Sequence, residues 1–259
     1  MKGFRSKTSF SLAELMVAIA IMAIFGMLSY RAVRSAINRV HRAKAANNLR
    51  TIAHAHAQFI SDFGHPITFS EMENISINGL SDVNSFAAVL AKYGYIEDVS
   101  IWAWDFDYKI KAYKKSSLGF PSKIYDKSTD KVQGNFQGGK FPLSVVCGIV
   151  RCPNLDYKTL LKGKFPAAYS RGLQSNGYWL ESSAKDRGGV FGRKGGLIAY
   201  YDGTVEWCEN VVNKFVNYLN QRKTSHICEA IPNAHNSIQE DGEMPSNFLD
   251  WTGSDACDL

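Results

Sequence analysis

The hydrophobic pattern changes character several times along the 259 residues. From Phe10 to Tyr30 the text FSLAELMVAIAIMAIFGMLSY is apolar almost without a break, and Glu14 is its one charge. As a helix at 1.5 Å per residue, this stretch rises through roughly 30 Å, the depth of a bilayer's hydrocarbon core. From Arg31 to Asp62 the pattern becomes periodic. Val33, Ile37, Val40, Ala43, Ala46, Leu49, Ala53, His56 and Ile60 recur every three or four residues, with Arg34, Asn38, Arg42, Lys44, Asn48 and Arg50 among the rest. No proline interrupts the run, and Gly64 and Pro66 mark its stop. One helix over 10–62 is predicted, about 80 Å long. Its first half has only lipid or sister helices to bury against. Its second half offers one apolar stripe to a globular head.

Beyond residue 63 the text turns to short strands and glycine-rich turns. Ser85 to Tyr93 is predicted as a short helix capped by Asn84 or Ser85. Ile101–Tyr108 and Leu143–Cys147 are predicted as strands. Residues 109–140 hold eight Lys and two Asp and read as a solvated loop. In Gly195–Cys208, apolar alternation on both sides of Asp202-Gly203 predicts a tight hairpin, because Asp and Gly tolerate positive φ. Val211 to Arg222 reads as a helix. Residues 224–259 carry seven Asp and Glu and no Lys or Arg, an acidic tail. The fold class is therefore α+β: a long N-terminal helix, half membrane and half amphipathic, packed on a small antiparallel sheet. The segments are 1–9, 10–30, 31–62, 63–210 and 211–259.

Composition narrows the function. A charge of +6, 21% charged and 12% aromatic residues exclude general disorder, and the excess charge is too small to point to nucleic acid as a partner. The leading nine residues carry Lys2, Arg5 and Lys7 and no acid, which by the positive-inside rule keeps the N-terminus cytoplasmic. No small-residue A-x-A site follows the apolar run. Arg31 and Arg34 follow instead, inside a continuing helical pattern, so the segment reads as a retained anchor rather than a removed secretory signal. Glu14 is then a carboxylate inside the span, which is costly unless it has a partner or a task.

The basic leader followed by Phe10-Ser-Leu-Ala-Glu14-Leu-Met-Val-Ala-Ile-Ala-Ile21 resembles the prepilin leader of type IV pilins and type II secretion pseudopilins. That resemblance implies a pilin-like fold and cleavage between Ser9 and Phe10 by a prepilin peptidase, with Ser9 where Gly is usual. It also implies N-methylation of Phe10. Glu14, fifth in the mature chain, would pair in assembly with the cationic amine of a neighbouring subunit. An acid left without that partner in an apolar bundle is costly, so the pair would set register. The implied partners are copies of the chain, other pilin-like subunits, an inner-membrane assembly platform and the lipid bilayer. The head would be periplasmic, in a pseudopilus or pilus. The run Lys44–Arg50 and the late text Gly195-Gly196…Asp202-Gly203-Thr204-Val205 are similar to a planctomycete-type pseudopilin family ending in R-H-x-G-G, an apolar strand, then A-D-G-H-V. Here Gly192 and Thr204 stand in the two His positions, so the hairpin carries over and any imidazole role does not.

Candidate chemistry beyond assembly is thin. Gly134…Gly139-Lys140 satisfies G-x-x-x-x-G-K, but Phe141-Pro142 follows where Ser or Thr and a helix are needed. His54 and His56, two apart on a helix, point away from each other and read as surface or seam residues rather than metal ligands. Asp105 and Asp107, alternating along the predicted strand, are the nearest approach to a Ca²⁺ site, and their remaining oxygen ligands cannot be named. Cys147 and Cys152 are close enough in sequence to bridge a local turn. Cys208, Cys228 and Cys257 could supply a second bridge with one left over. Neither G-x-S-x-G nor H-E-x-x-H occurs. The reading is a non-enzymatic subunit without a cofactor, assembled through its helix and serving type II-like secretion. The alternative is an uncleaved, signal-anchored periplasmic binding protein or enzyme.

Overall fold

The computed structural model describes residues 11–75, 82–116, 119–133, 136, 141–148, 158, 161, 164–174, 176–182, 188–217, 220–230 and 248–249. The cleavage-site residues Ser9 and Phe10, along with Cys152 and Cys257, lie outside them, as do most of the 134–140 loop and of the acidic tail. The chain divides into two compact units, residues 1–43 and 44–259.

The first unit is the front of helix α1 (Leu12–Phe63), a single 52-residue helix that continues into the second unit. Large apolar side chains on this front part are open to the surroundings, among them Leu12, Met16, Ile19, Met22 and Phe25. Val33, Ile37 and Val40 are exposed as well.

The second unit is the head. The last turns of α1 bury Ala45, Leu49, Ile52, His56 and Phe59, spaced by three and four with Ala53 and Ile60 beside them, which lays one face against the core. The helix ends where the sequence says it should: Gly64 takes φ +75° and its N–H donates to Ile60 O at 2.9 Å. Helix α2 (Phe69–Ile75) follows, then α3 (Val83–Lys92), which is buried through Ala91. The cap of α3 is Asp82, whose carboxylate accepts from Ser85 N at 2.7 Å, rather than Asn84 or Ser85. Asn84 instead turns inward and donates to Phe141 O at 3.1 Å.

Residues 101–108 are not a strand. A 3-10 turn at Val99–Ile101 leads through tight turns into α4 (Tyr108–Lys114), with Asp107 as its cap. Trp102 and Trp104 are fully buried here. The alternation read as β reflects aromatic anchors in a compact turn. The Lys-rich stretch likewise holds α4 and a hairpin, β1 (Tyr125–Asp126) with β2 (Lys131–Val132), not loop alone.

The central sheet has five strands in the order β6-β5-β4-β3-β9, all antiparallel: β3 (Val145–Gly148), β4 (Pro166–Ser170), β5 (Gly196–Tyr200), β6 (Val205–Cys208) and β9 (Phe248–Leu249). Every residue of β4 and β5 is buried, so both faces of the sheet's middle are covered. The helix expected over 211–222 is instead a turn and a small hairpin, β7 (Phe215–Val216) with β8 (Lys223–Thr224). Asn213 and Gln221 sit at φ +52° and +56°, backbone that breaks a helix.

Candidate functional site

The start of α1 is built by two residues. Ser11 and Glu14 form a reciprocal cap: Ser11 N donates to Glu14 Oε2 at 2.9 Å, Ser11 Oγ donates to the same oxygen at 3.1 Å, and Glu14 N donates back to Ser11 Oγ at 3.3 Å. This is the capping box that S-x-x-E spells, satisfying helix N–H groups that have no intrahelical partner. Thr68 and Glu71 repeat it at α2, with Thr68 N to Glu71 Oε2 at 2.8 Å. The S-x-x-E spacing carries this second task of Glu14 in the sequence itself, where the residue's charge alone draws attention. Both Ser11 bonds end on Oε2, and no partner for Oε1 is seen among the described residues. One carboxylate can therefore hold the helix start and still present an acceptor.

Strands β5 and β6 are joined by a tight turn at Asp202-Gly203. Gly203 N donates to Tyr200 O at 3.0 Å and Tyr200 N to Thr204 O at 2.9 Å, with Gly203 at φ +81°. Asp202 Oδ1 accepts from Thr204 N at 2.8 Å and from its hydroxyl at 2.6 Å. The turn lies directly on the last turns of α1. Arg50 Nε donates to Gly203 O at 3.3 Å, and a Cβ on Gly203 would stand 2.7 Å from His54 Cε1. Two residues further along α1, the Tyr201 hydroxyl lies 3.1 Å from His56 Nδ1.

The glycine pair ahead of β5 has equally concrete causes. Gly195 takes φ +129°, and a Cβ there would meet Cys208 O at 2.4 Å; a Cβ on Gly196 would meet the Trp179 ring at 2.3 Å. Gly192, where the resembled family carries its first His, sits at φ +64° with Ser182 Oγ 3.1 Å from the Cβ position. An imidazole there would need a backbone that side chains rarely adopt.

The two histidines separate. His54 is exposed under the hairpin turn, whereas His56 is buried in the core rather than on the surface or at a seam, with the Phe86 ring edge-on at 4.9 Å. Burial pushes the His56 imidazole down to about 3, so it is neutral. The two aspartates also separate. Asp105 is exposed and taken by Lys114 and, at 3.8 Å, by Lys44; the hydrogen bond from Lys114 holds its carboxyl below the usual range. Asp107 is buried. It accepts from Arg171 Nη2 at 3.0 and 3.1 Å, from Ser144 Oγ at 2.7 Å and from Lys109 N at 3.0 Å. Arg171 completes its own set on Leu143 O and Gly188 O. With both carboxylates held by cations, the two do not converge on a Ca²⁺ position. Among the described residues no group of three metal-binding side chains occurs.

Cys147, on β3 between β4 and β9, carries a free, buried thiol whose pKa burial raises well above the ordinary value; Cys208 is also free. A hollow of about 480 Å³ beside β6 and β7 is lined by Lys164, Tyr200, Glu206, Lys214 and Phe215 among others. Its charges close on one another. Glu206 takes Lys214 at 2.7 Å and Lys164 at 3.4 Å, and the Lys214 bond keeps the Glu206 carboxyl low. Lys214 Nζ also lies 3.2 Å from Cys208 Sγ, a thiol whose pKa burial raises.

The fold is α+β: a long N-terminal helix, apolar and open at its front, with a head built on a small antiparallel sheet. Residues 4–30 match the prokaryotic N-terminal methylation motif. That motif is consistent with membership of the pilin and pseudopilin group and with a non-catalytic protein, and it implies processing by a prepilin peptidase. The helix is long and apolar enough to cross a membrane near the N-terminus, consistent with a single-pass membrane protein. No curated protein and no solved structure matches the chain.

Proposed function

We propose that the chain is a pseudopilin-like structural subunit, cut between Ser9 and Phe10, N-methylated on Phe10, and assembled through α1 into a periplasmic pseudopilus or pilus that serves type II-like secretion. The observation that carries this reading is the open apolar front of α1 with Glu14 at its start. A neighbour's Phe10 amine is the partner for Glu14 Oε1, while Oε2 stays on Ser11. Such a pair, desolvated between helices, sets the axial step of the filament, since a shifted register strands the acid. The basic leader supports a cytoplasmic N-terminus and a periplasmic head. The finer kinship with the planctomycete-type group draws on the Gly195-Gly196 and Asp202-Gly203 hairpin. Partners are the peptidase, sister subunits and an inner-membrane platform.

The test is the mass of the mature N-terminus together with shear release. N-methyl-Phe10 on protein recovered in the sheared fraction is expected. An intact Met1 on protein that stays monomeric in the membrane would replace this reading with an uncleaved, anchored binding protein or enzyme.

A further inference from the structure

Between Glu14 and Asp62 the chain contains no Asp or Glu, yet Arg31, Arg34, Arg39 and Arg42 follow directly on the apolar run. At 3.6 residues per turn these four fall within an arc of about 140° on one side of α1. Val33, Ile37 and Val40 fall on the opposite side. Arg31, Arg34 and Arg39 are exposed, and so are the three apolar residues. Tyr30, exposed at the junction, is the kind of aromatic residue that settles at a membrane interface. The segment is thus a short basic amphipathic stretch set at the mouth of the span.

We propose that Arg31, Arg34 and Arg39 form a collar that binds the phosphate groups of anionic phospholipids where α1 leaves the bilayer. The inference rests on the reading of residues 10–30 as a membrane span. Depth supports it: the headgroup layer is roughly 5–7 Å thick on each side of the hydrocarbon core. Arg31 and Arg34, about 4.5 Å apart along the axis, fit within that layer. Arg39, about 12 Å from Arg31, stands just above it, within a Debye length of the charged surface. Charge supports it too, because no acid on the same stretch of helix competes for the guanidinium groups, and their planar forks match phosphate oxygens. The collar works from either leaflet and so does not depend on orientation. Its apolar back, Val33, Ile37 and Val40, remains for sister helices.

The experiment uses the full chain reconstituted into vesicles of phosphatidylcholine alone or mixed with phosphatidylglycerol. Carbonate extraction reads insertion, and spin-labelled lipids read which headgroup the protein retains. Wild type is expected to insert and to prefer phosphatidylglycerol about fivefold, with the preference shrinking in high salt. The variant R31Q/R34Q/R39Q should insert equally well with a preference near one. Insertion with no headgroup preference, or with a preference the variant keeps, overturns the collar and leaves the span intact. Failure to insert overturns the span and the collar with it. Retention of short duplex DNA by wild type, without lipid preference, overturns the collar in favour of nucleic acid.

Discussion

The Tyr201 hydroxyl lies 3.1 Å from His56 Nδ1, joining the turn after β5 to the last turns of α1 inside the core. His56 Nε2 is also buried, with no partner among the described residues. A proton on this ring would be a buried charge, and its pKa is accordingly held at about 3.

A loss of stability in acid follows from that burial. The folded pKa lies below the ordinary 6.5, so between about pH 6.5 and 3 the unfolded chain takes up a proton that the folded head does not. The stabilisation is complete above the unfolded pKa and falls with pH by up to about 1.4 kcal/mol per unit. Urea midpoints of the full chain in detergent, read by tryptophan fluorescence, should drop between pH 7 and pH 4. H56Q should lower the midpoint at neutral pH but flatten the drop; an unchanged drop would mean that His56 is not the group responsible.

Gly203→Ala combines a backbone at φ +81° with a Cβ 2.7 Å from the His54 ring. A loss of about 1–3 kcal/mol in unfolding free energy is expected. Adding His54→Ala should restore the steric share and leave the backbone share. Additive losses in the double variant would show that the turn does not press on α1.

Asp107→Ala removes the partner of a guanidinium that is only 2% exposed, and takes the cap from α4. The loss should reach about 3–5 kcal/mol, more than for Gly203→Ala or Ser11→Ala. Replacing the pair by D107L/R171M should recover much of it, since a shaped apolar filling has no charge to strand. A milder effect for Asp107→Ala than for Gly203→Ala would place the pair outside the core.

Glu14→Ala and Ser11→Ala separate the two tasks of the carboxylate. Ser11→Ala should cost about 1 kcal/mol of helix capping and leave incorporation into sheared filaments close to wild type. Glu14→Ala should insert into membranes normally yet fall by an order of magnitude or more in the sheared fraction, as expected for loss of a desolvated charge pair. Equal incorporation of Glu14→Ala would remove the pairing argument.

The sequence by itself determined the elements that local pattern can specify. An apolar run of bilayer length, the stop at Gly64, the S-x-x-E start and the Asp202-Gly203 turn each depend on neighbours a few residues away. Periodicity also implied the α+β class. Tertiary structure decided the rest. Residues 101–108 and 211–222 carry patterns that suit a strand and a helix, but Trp102 and Trp104 are buried from a compact turn, and Asn213 and Gln221 take positive φ around a small hairpin. Asp107 and Arg171 lie 64 residues apart, and only folding shows that they meet. The same holds for His56, whose ring neighbours Phe86 on α3 and Tyr201 just after β5 are distant in the chain. Spacing reports which face of an element is apolar. Which partner covers that face, and how far along the helix the covering extends, depends on contacts between residues distant in the chain.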